Sequence, residues 1–388
     1  MNNQVELDSK TQQVLEEANI IASGEEVLAQ LGIDSTIVKA MKEGIKRSSY
    51  RAVINWLTKY KPNPDASNLK KVKGLLDSFY HLCEVEDWEK SSSILLNNFQ
   101  LLNNKSLNTQ LHSWGHHIER LDLNYKILGQ LNHKVDIICL RNLGNSSMIL
   151  GEHNKAINFY EKSLFLTQKM GDKLNECLTL RSLSNFYFSR GDYSQAINFS
   201  EKLLTLCELV QESKTKIETL INLAGSHYFL GKTEKAAILF EQCLTDIQIL
   251  ENQPTKVYLL GTIGNIYDFM QEYSKAIDCY QKSLSIAQII NYQQTGGILA
   301  NLGKTIMKLE QYPEALDILF KAIEQLKKDG IRIGESISIL NVAEIYYQLG
   351  YIDLALNYYN QALEIAMNLE NPQLLEQCKE FNSRLLQF

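Results

Sequence analysis

The sequence predicts an all-α protein: a right-handed superhelical solenoid of stacked antiparallel helix pairs, closed by a C-terminal capping helix. Three observations carry that expectation, namely a forty-residue period, a turn residue at one fixed place within it and an alanine at another. Counted from a small anchor residue in the first helix of each copy, the series is Gly144, Ser184, Ala224, Gly264, Gly303 and Ala343, at steps of 40, 40, 40, 39 and 40. A hairpin of this size exposes an apolar face that only its neighbour can cover, so stacking is compulsory.

The elements follow in order. Leu7 to Ile21 carries apolar residues at helical spacing, and Ser23 with Glu26 forms a capping box ahead of a helix through Val27–Leu31 that Gly32 ends. A degenerate hairpin comes next, with helices expected over Ser35–Arg47 and Tyr50–Tyr60. Its Val53-Ile-Asn-Trp56 echoes Ala196-Ile-Asn-Phe199 in a later copy. Pro62-Asn-Pro64 then interrupts the helices, since proline lacks the amide donor and restrains the residue before it, and marks a candidate hinge. A second degenerate hairpin is expected over Lys71–Val85 and Trp88–Leu101, and an irregular helical pair over Ser106–Gly129. The expected organisation is an N-terminal helical region (1–61), degenerate hairpins (65–133), six regular repeats (134–370) and a capping helix (371–388).

Within the regular array, Leu140, Leu180, Leu220, Leu260, Leu299 and Ile339 stand four residues before the anchor, and Leu143, Leu183, Leu223, Ile263, Leu302 and Val342 one before it. These intervals place both rows on one stripe of the first helix. Seven residues past the anchor the chain turns at Gly151, Gly191, Gly231, Gln271, Glu310 and Gly350. Twelve past it every copy has alanine (Ala156, Ala196, Ala236, Ala276, Ala315 and Ala355), small enough for two helices to approach closely. An aliphatic residue follows eight further on, from Leu164 to Leu363. Pro372 opens the final helix, whose Leu374, Leu375, Phe381, Leu385 and Leu386 are expected to cover the last hairpin around Leu356 and Leu363.

This pattern resembles the tetratricopeptide repeat: aliphatic-x-x-aliphatic-small, an aromatic three residues on (Tyr187, Tyr267, Tyr346), glycine at the turn, alanine, then an aromatic (Tyr160, Phe240, Tyr280, Tyr359). Two features depart from the family: the period is 40 where about 34 is usual, and the proline that commonly closes the second helix is missing. The resemblance, to the forty-residue repeat class, implies a scaffold or adaptor of signalling systems that holds a polypeptide in a concave groove.

Composition narrows the function. With 39 basic and 45 acidic residues the formal charge is −6, which predicts no general attraction to nucleic acid or an anionic membrane. Seven cysteines without a Cys-x-x-Cys pair fit a reduced, cytoplasmic protein, and neither a signal peptide nor a membrane span is expected. No catalytic fingerprint is found, and no cofactor is expected. Gly231-Lys-Thr and Gly303-Lys-Thr end like phosphate-binding loops but lack the glycine five positions upstream. His112, His116 and His117 have one-turn spacing for a metal but no complete ligand set, so no metal is expected.

The candidate partner-binding residues are amides and arginines on the first helix of each pair. Arg141 with Asn145, and Arg181 with Asn185, lie three before and one after their anchors, followed by Asn265; Asn142, Asn222, Asn301 and Asn341 recur two before. Amides donate and accept, which suits an extended peptide backbone, and arginines suit its carboxylates. The resemblance implies a carboxylate-clamp geometry matched only in part, because Ser182, Glu218 and Asn222 replace later clamp residues; an acidic, extended internal segment is the expected partner. The expected function is therefore a non-catalytic interaction scaffold. The alternative is a peptide-sensing regulator with a DNA-binding head over Leu28–Lys42, which the balanced charge and short spacing of that region oppose.

Overall fold

The computed structural model describes residues 23–385 except 43, 64–65, 98–104, 211–212 and 370. The expected helix over Leu7–Ile21, the far end of that expected to reach Leu101, and Leu386 lie outside the described residues. All described regular structure is helical. The chain divides into two compact units, Met1–Cys139 and Leu140–Phe388.

In the first unit, Ser23 and Glu26 exchange both bonds of a capping box at the start of α1 (Gly24–Gln30), and Gly32 turns the chain at φ 64°. Asp34 then caps α2 (Ser35–Ala40). Against the expected Ser35–Arg47 and Tyr50–Tyr60, α2 stops at Ala40 and α3 (Ile45–Lys59) begins five residues before Tyr50. The interruption falls at Met41 and Gly44, both extended, and glycine forfeits more helical stability than serine. Helix α4 (Asn68–Lys71) leads into α5 (Lys73–Glu84), where a Cβ on Gly74 would lie 2.8 Å from the Trp56 carbonyl oxygen. The proline segment therefore joins two helices packed backbone to backbone. Glu86 turns at φ 57° and Asp87 caps α6 (Trp88–Leu96). The irregular pair forms as α7 (Leu107–Trp114) and α8 (His117–Ile127), tied by the buried Asn108 amide oxygen, which accepts from Arg120 at 3.0 Å and Asn124 at 2.9 Å.

The second unit holds the repeats. Their first, or A, helices are α9 (His133–Ile149, which begins in the first unit), α11 (Lys173–Ser189), α13 (Ser213–Phe229), α15 (Gln253–Phe269), α17 (Gly296–Lys308) and α19 (Arg332–Gln348). The B helices are α10 (His153–Met170), α12 (Tyr193–Val210), α14 (Thr233–Ile249), α16 (Tyr273–Ile289), α18 (Tyr312–Lys328) and α20 (Ile352–Asn368). All six alanines twelve past the anchor are buried where the helices cross. The turn residues share one left-handed conformation: φ is 75–79° at the four glycines, and the same region is forced on Gln271 (62°) and Glu310 (60°).

Opposite each anchor stands the residue sixteen further on, and the two vary together. Gly144 and Gly264 face Tyr160 and Tyr280, whose hydroxyls donate to Asn145 at 2.8 Å and Asn265 at 2.9 Å. Ser184 instead meets Ser200 through a 2.7 Å hydroxyl bond. The capping helix α21 (Pro372–Leu385) buries Leu374, Cys378, Phe381 and Leu385 against Ala355, Tyr359, Ala366 and the flank of Leu363. Leu356, expected beneath the cap, faces outward instead. It is one residue off the buried stripe of α20.

Candidate functional site: the A-helix wall

Successive A helices touch one another more closely than successive B helices do, which puts the A helices on the inner side of the stack. Their inner faces carry a polar ladder that ties one repeat to the next. Arg141 donates to the Asn175 amide oxygen at 3.0 Å, and Arg181 pairs with Glu218 at 2.9 Å. Asn222 donates to Asn185, and Asn301 to Asn265 at 2.7 Å. Further along, Lys308 pairs with Asp268 at 2.6 Å, and Arg384 of the cap with Glu344 at 2.6 Å.

The predicted site residues thus fall into distinct environments. Asn185 and Asn265 are exposed on the wall, and each accepts from the next repeat. Asn145 is half-buried and holds Tyr160, while Asn142 is buried and unavailable to a partner. Asn222 and Asn301 are half-buried donors that orient Asn185 and Asn265, and Asn341 is half-buried. The two arginines are not equivalent. Arg181 is already satisfied by a carboxylate, so reversing its charge would set two acids face to face. Arg141 has a neutral partner, and burial together with the like charge of Arg181 pushes its guanidinium down to about 10, with Asp172 acting in the opposite sense.

Other wall residues were not singled out from the sequence. Tyr258 is 48% exposed, with the Lys214 ammonium 4.8 Å from its ring centre, and Phe269 is 67% exposed at the far end of the same helix. Burial and the nearby Glu218 raise the Tyr258 hydroxyl above its ordinary range, so it stays a neutral donor. These positions continue the i, i+3/i+4 stripe through Thr262 and Asn265, and extending that stripe along the helix is the signal that finds them.

A profile described as Tetratricopeptide repeat matches residues 136–209, 175–246, 215–289 and 294–368, together more than half of the 388-residue chain. The chain belongs to the tetratricopeptide repeat family. No curated protein gives a significant sequence match. Among solved structures, this tetratricopeptide repeat chain is similar to a Rap protein crystallised with Competence and Sporulation Factor, at 13% identity over 82% of this chain and 98% of that one, with a TM-score of 0.49. It is similar as well to aspartyl phosphate phosphatase F from Bacillus subtilis (16% identity, 72% and 80% coverage, TM-score 0.47) and to NprR in complex with its peptide NprX (16%, 81% and 98%, 0.46). Among the described residues, no group of three His, Cys, Asp or Glu side chains is placed to hold a metal, and no helix is long and apolar enough to cross a membrane.

Proposed function

We propose that this protein is a non-catalytic scaffold that holds an extended, acidic segment of a partner protein along the A-helix wall of its first regular repeats. The observation that carries the reading is Arg141. Its guanidinium is half-buried, rests on an amide rather than a carboxylate, and lies in the field of Arg181. A carboxylate brought by a partner would add to the counter-charge of Asp172 and offset the field of Arg181 in a partly desolvated place, where such a pair has most effect. Exposed Asn185 keeps its amide donor for a peptide carbonyl, because its oxygen is taken by Asn222. Asn265 is placed in the same way by Asn301. Membership of a repeat family whose chemistry lies in its surfaces supports a binding role over catalysis.

The test is fluorescence anisotropy with labelled decapeptides that differ only in charge. The reading predicts binding of the acidic peptide that weakens with salt, is lost in Arg141→Gln, and survives in Asn341→Ala. Equal binding of acidic and neutral peptides, or an unaffected Arg141→Gln variant, would sink it.

A further inference from the structure

Two rows of the A-helix wall meet across the repeat boundaries. Three residues before the anchor only the first two copies have a basic residue, Arg141 and Arg181; six before it only the third has an acid, Glu218, where the second has Leu178. The rows pair one repeat out of step, since Arg181 reaches Glu218, 37 residues on, with a guanidinium nitrogen 2.9 Å from Oε2. The same step from Arg141 arrives at Leu178, which has no charge to offer, and Arg141 donates instead to the Asn175 amide oxygen at 3.0 Å. Two arginines at equivalent places in the period thus differ because the next repeat differs at one residue.

Three A helices hold Glu218 in place. Arg181 of α11 takes one carboxylate oxygen, Lys214 of its own helix α13 lies 3.9 Å from the other, and Tyr258 of α15 feels its charge. The Glu218 side chain is only 10% exposed, whereas Arg181 keeps 32% of its side chain in solvent. A guanidinium open to the wall is a natural partner for an incoming carboxylate. Here such a carboxylate would arrive beside Glu218, and two acids on one guanidinium repel each other. Without Glu218, two cations, Arg181 and Lys214, would face the same place.

We propose that Glu218 is a specificity-determining residue, an internal carboxylate that closes Arg181 and leaves Arg141 as the carboxylate subsite of this pair. The inference rests on the acidic-segment reading and deepens it by defining the segment: an acidic residue is accepted at Arg141, and a second one placed to reach Arg181 is refused. The residue six before the anchor of the next repeat thereby decides whether a wall arginine is open to a partner. Leucine leaves it open and glutamate closes it. A segment with a single acid among neutral neighbours fits such a wall better than one with clustered carboxylates.

A reciprocal exchange tests this, because each substitution copies the neighbouring repeat: Glu218→Leu opens Arg181, and Leu178→Glu closes Arg141. Glu218→Gln, which keeps the shape of the side chain, replaces the leucine variant if that one melts below the parent. The probes are fluorescein-labelled decapeptides, one with a single glutamate and a set in which a second glutamate is moved along the chain residue by residue, all read by anisotropy. In wild type the second glutamate should bring no gain at any place. At least one two-glutamate peptide should bind the opened variant about tenfold more tightly than wild type, and adding Arg181→Gln should remove that gain. Leu178→Glu should weaken the single-glutamate peptide about tenfold. The inference is overturned if wild type and the opened variant bind every two-glutamate peptide alike, if the gain survives Arg181→Gln, or if Leu178→Glu leaves single-glutamate binding unchanged. Wild type that ignores acidic peptides, beside an opened variant that captures them through Arg181, would keep the blocking role of Glu218 and sink the Arg141 site instead.

Discussion

Replacing Gly264 by alanine tests the pairing of each anchor with the ring opposite it. A Cβ at Gly264 would lie 2.5 Å from Cε1 and 2.7 Å from Cδ1 of Tyr280, nearly 1 Å inside ordinary contact. Tyr280 is buried, and its hydroxyl is held by Asn265 at 2.9 Å, so the ring has little room to withdraw. Overpacking of this kind costs up to about 3 kcal/mol, and the better helix propensity of alanine returns about 1 kcal/mol. The net loss should be about 2 kcal/mol. The matched control is Gly297→Ala, also helical, where the added methyl meets nothing within 4 Å and should stabilise by up to about 1 kcal/mol. Removing the hydroxyl in Tyr280→Phe frees the ring and copies Phe240, the residue opposite Ala224, so the double variant should lose about 1 kcal/mol less than the two single losses summed. Urea unfolding followed by circular dichroism reads all four proteins. If Gly264→Ala and Gly297→Ala shift the midpoint equally, the anchor is not set by the facing ring.

Four further outcomes are expected. Gln271→Gly and Glu310→Gly should each raise stability by about 0.5–1 kcal/mol in thermal melts, because both side chains sit in the left-handed region that the other turns give to glycine; unchanged melting would contradict the strain. Ala276→Leu, at a fully buried crossing, should lower stability by about 1–3 kcal/mol in the same urea assay, and a parent-like midpoint would refute the helix crossing. Truncation after Leu369 should expose the apolar surface now covered by Leu374, Cys378 and Phe381 and make the chain self-associate in sedimentation, whereas a stable monomer would remove the cap's role. Burial holds the imidazoles of His112 and His116 down at about 4 and that of His117 at about 3, below their unfolded value, so the unfolded chain takes up protons first. Stability is then full above about pH 6.5 and falls as pH drops toward 4; a urea midpoint equal at pH 7.5 and pH 5 would contradict it.

Much of the fold was legible because the signals were local and repeated. The anchors, alanines and turn residues each mark a backbone requirement, a close approach or a left-handed turn, that recurs every forty residues. Even the departures at Gln271 and Glu310 could be read, since position in the period outweighed residue type. The α2–α3 boundary was misread because a single copy offered no period to check, and Gly44 was the deciding residue. The wall was only half legible. Periodicity placed Arg141, Arg181 and the asparagines on one face, but it could not show that Glu218 answers Arg181 across 37 positions, or that Asn145 serves the Tyr160 hydroxyl. The first bond joins neighbouring repeats and the second the two helices of one hairpin, and both depend on how the helices are packed and not on the spacing within either.

The central claim is that Arg141 on the A-helix wall receives a partner's carboxylate. Isothermal titration of the acidic decapeptide into wild type, Arg141→Gln and Arg141→Lys at two salt concentrations tests it most directly. The account predicts binding to wild type that weakens with salt, loss of at least tenfold in Arg141→Gln, and partial recovery in Arg141→Lys, which restores the charge without the forked geometry. The same affinity for all three proteins would contradict it.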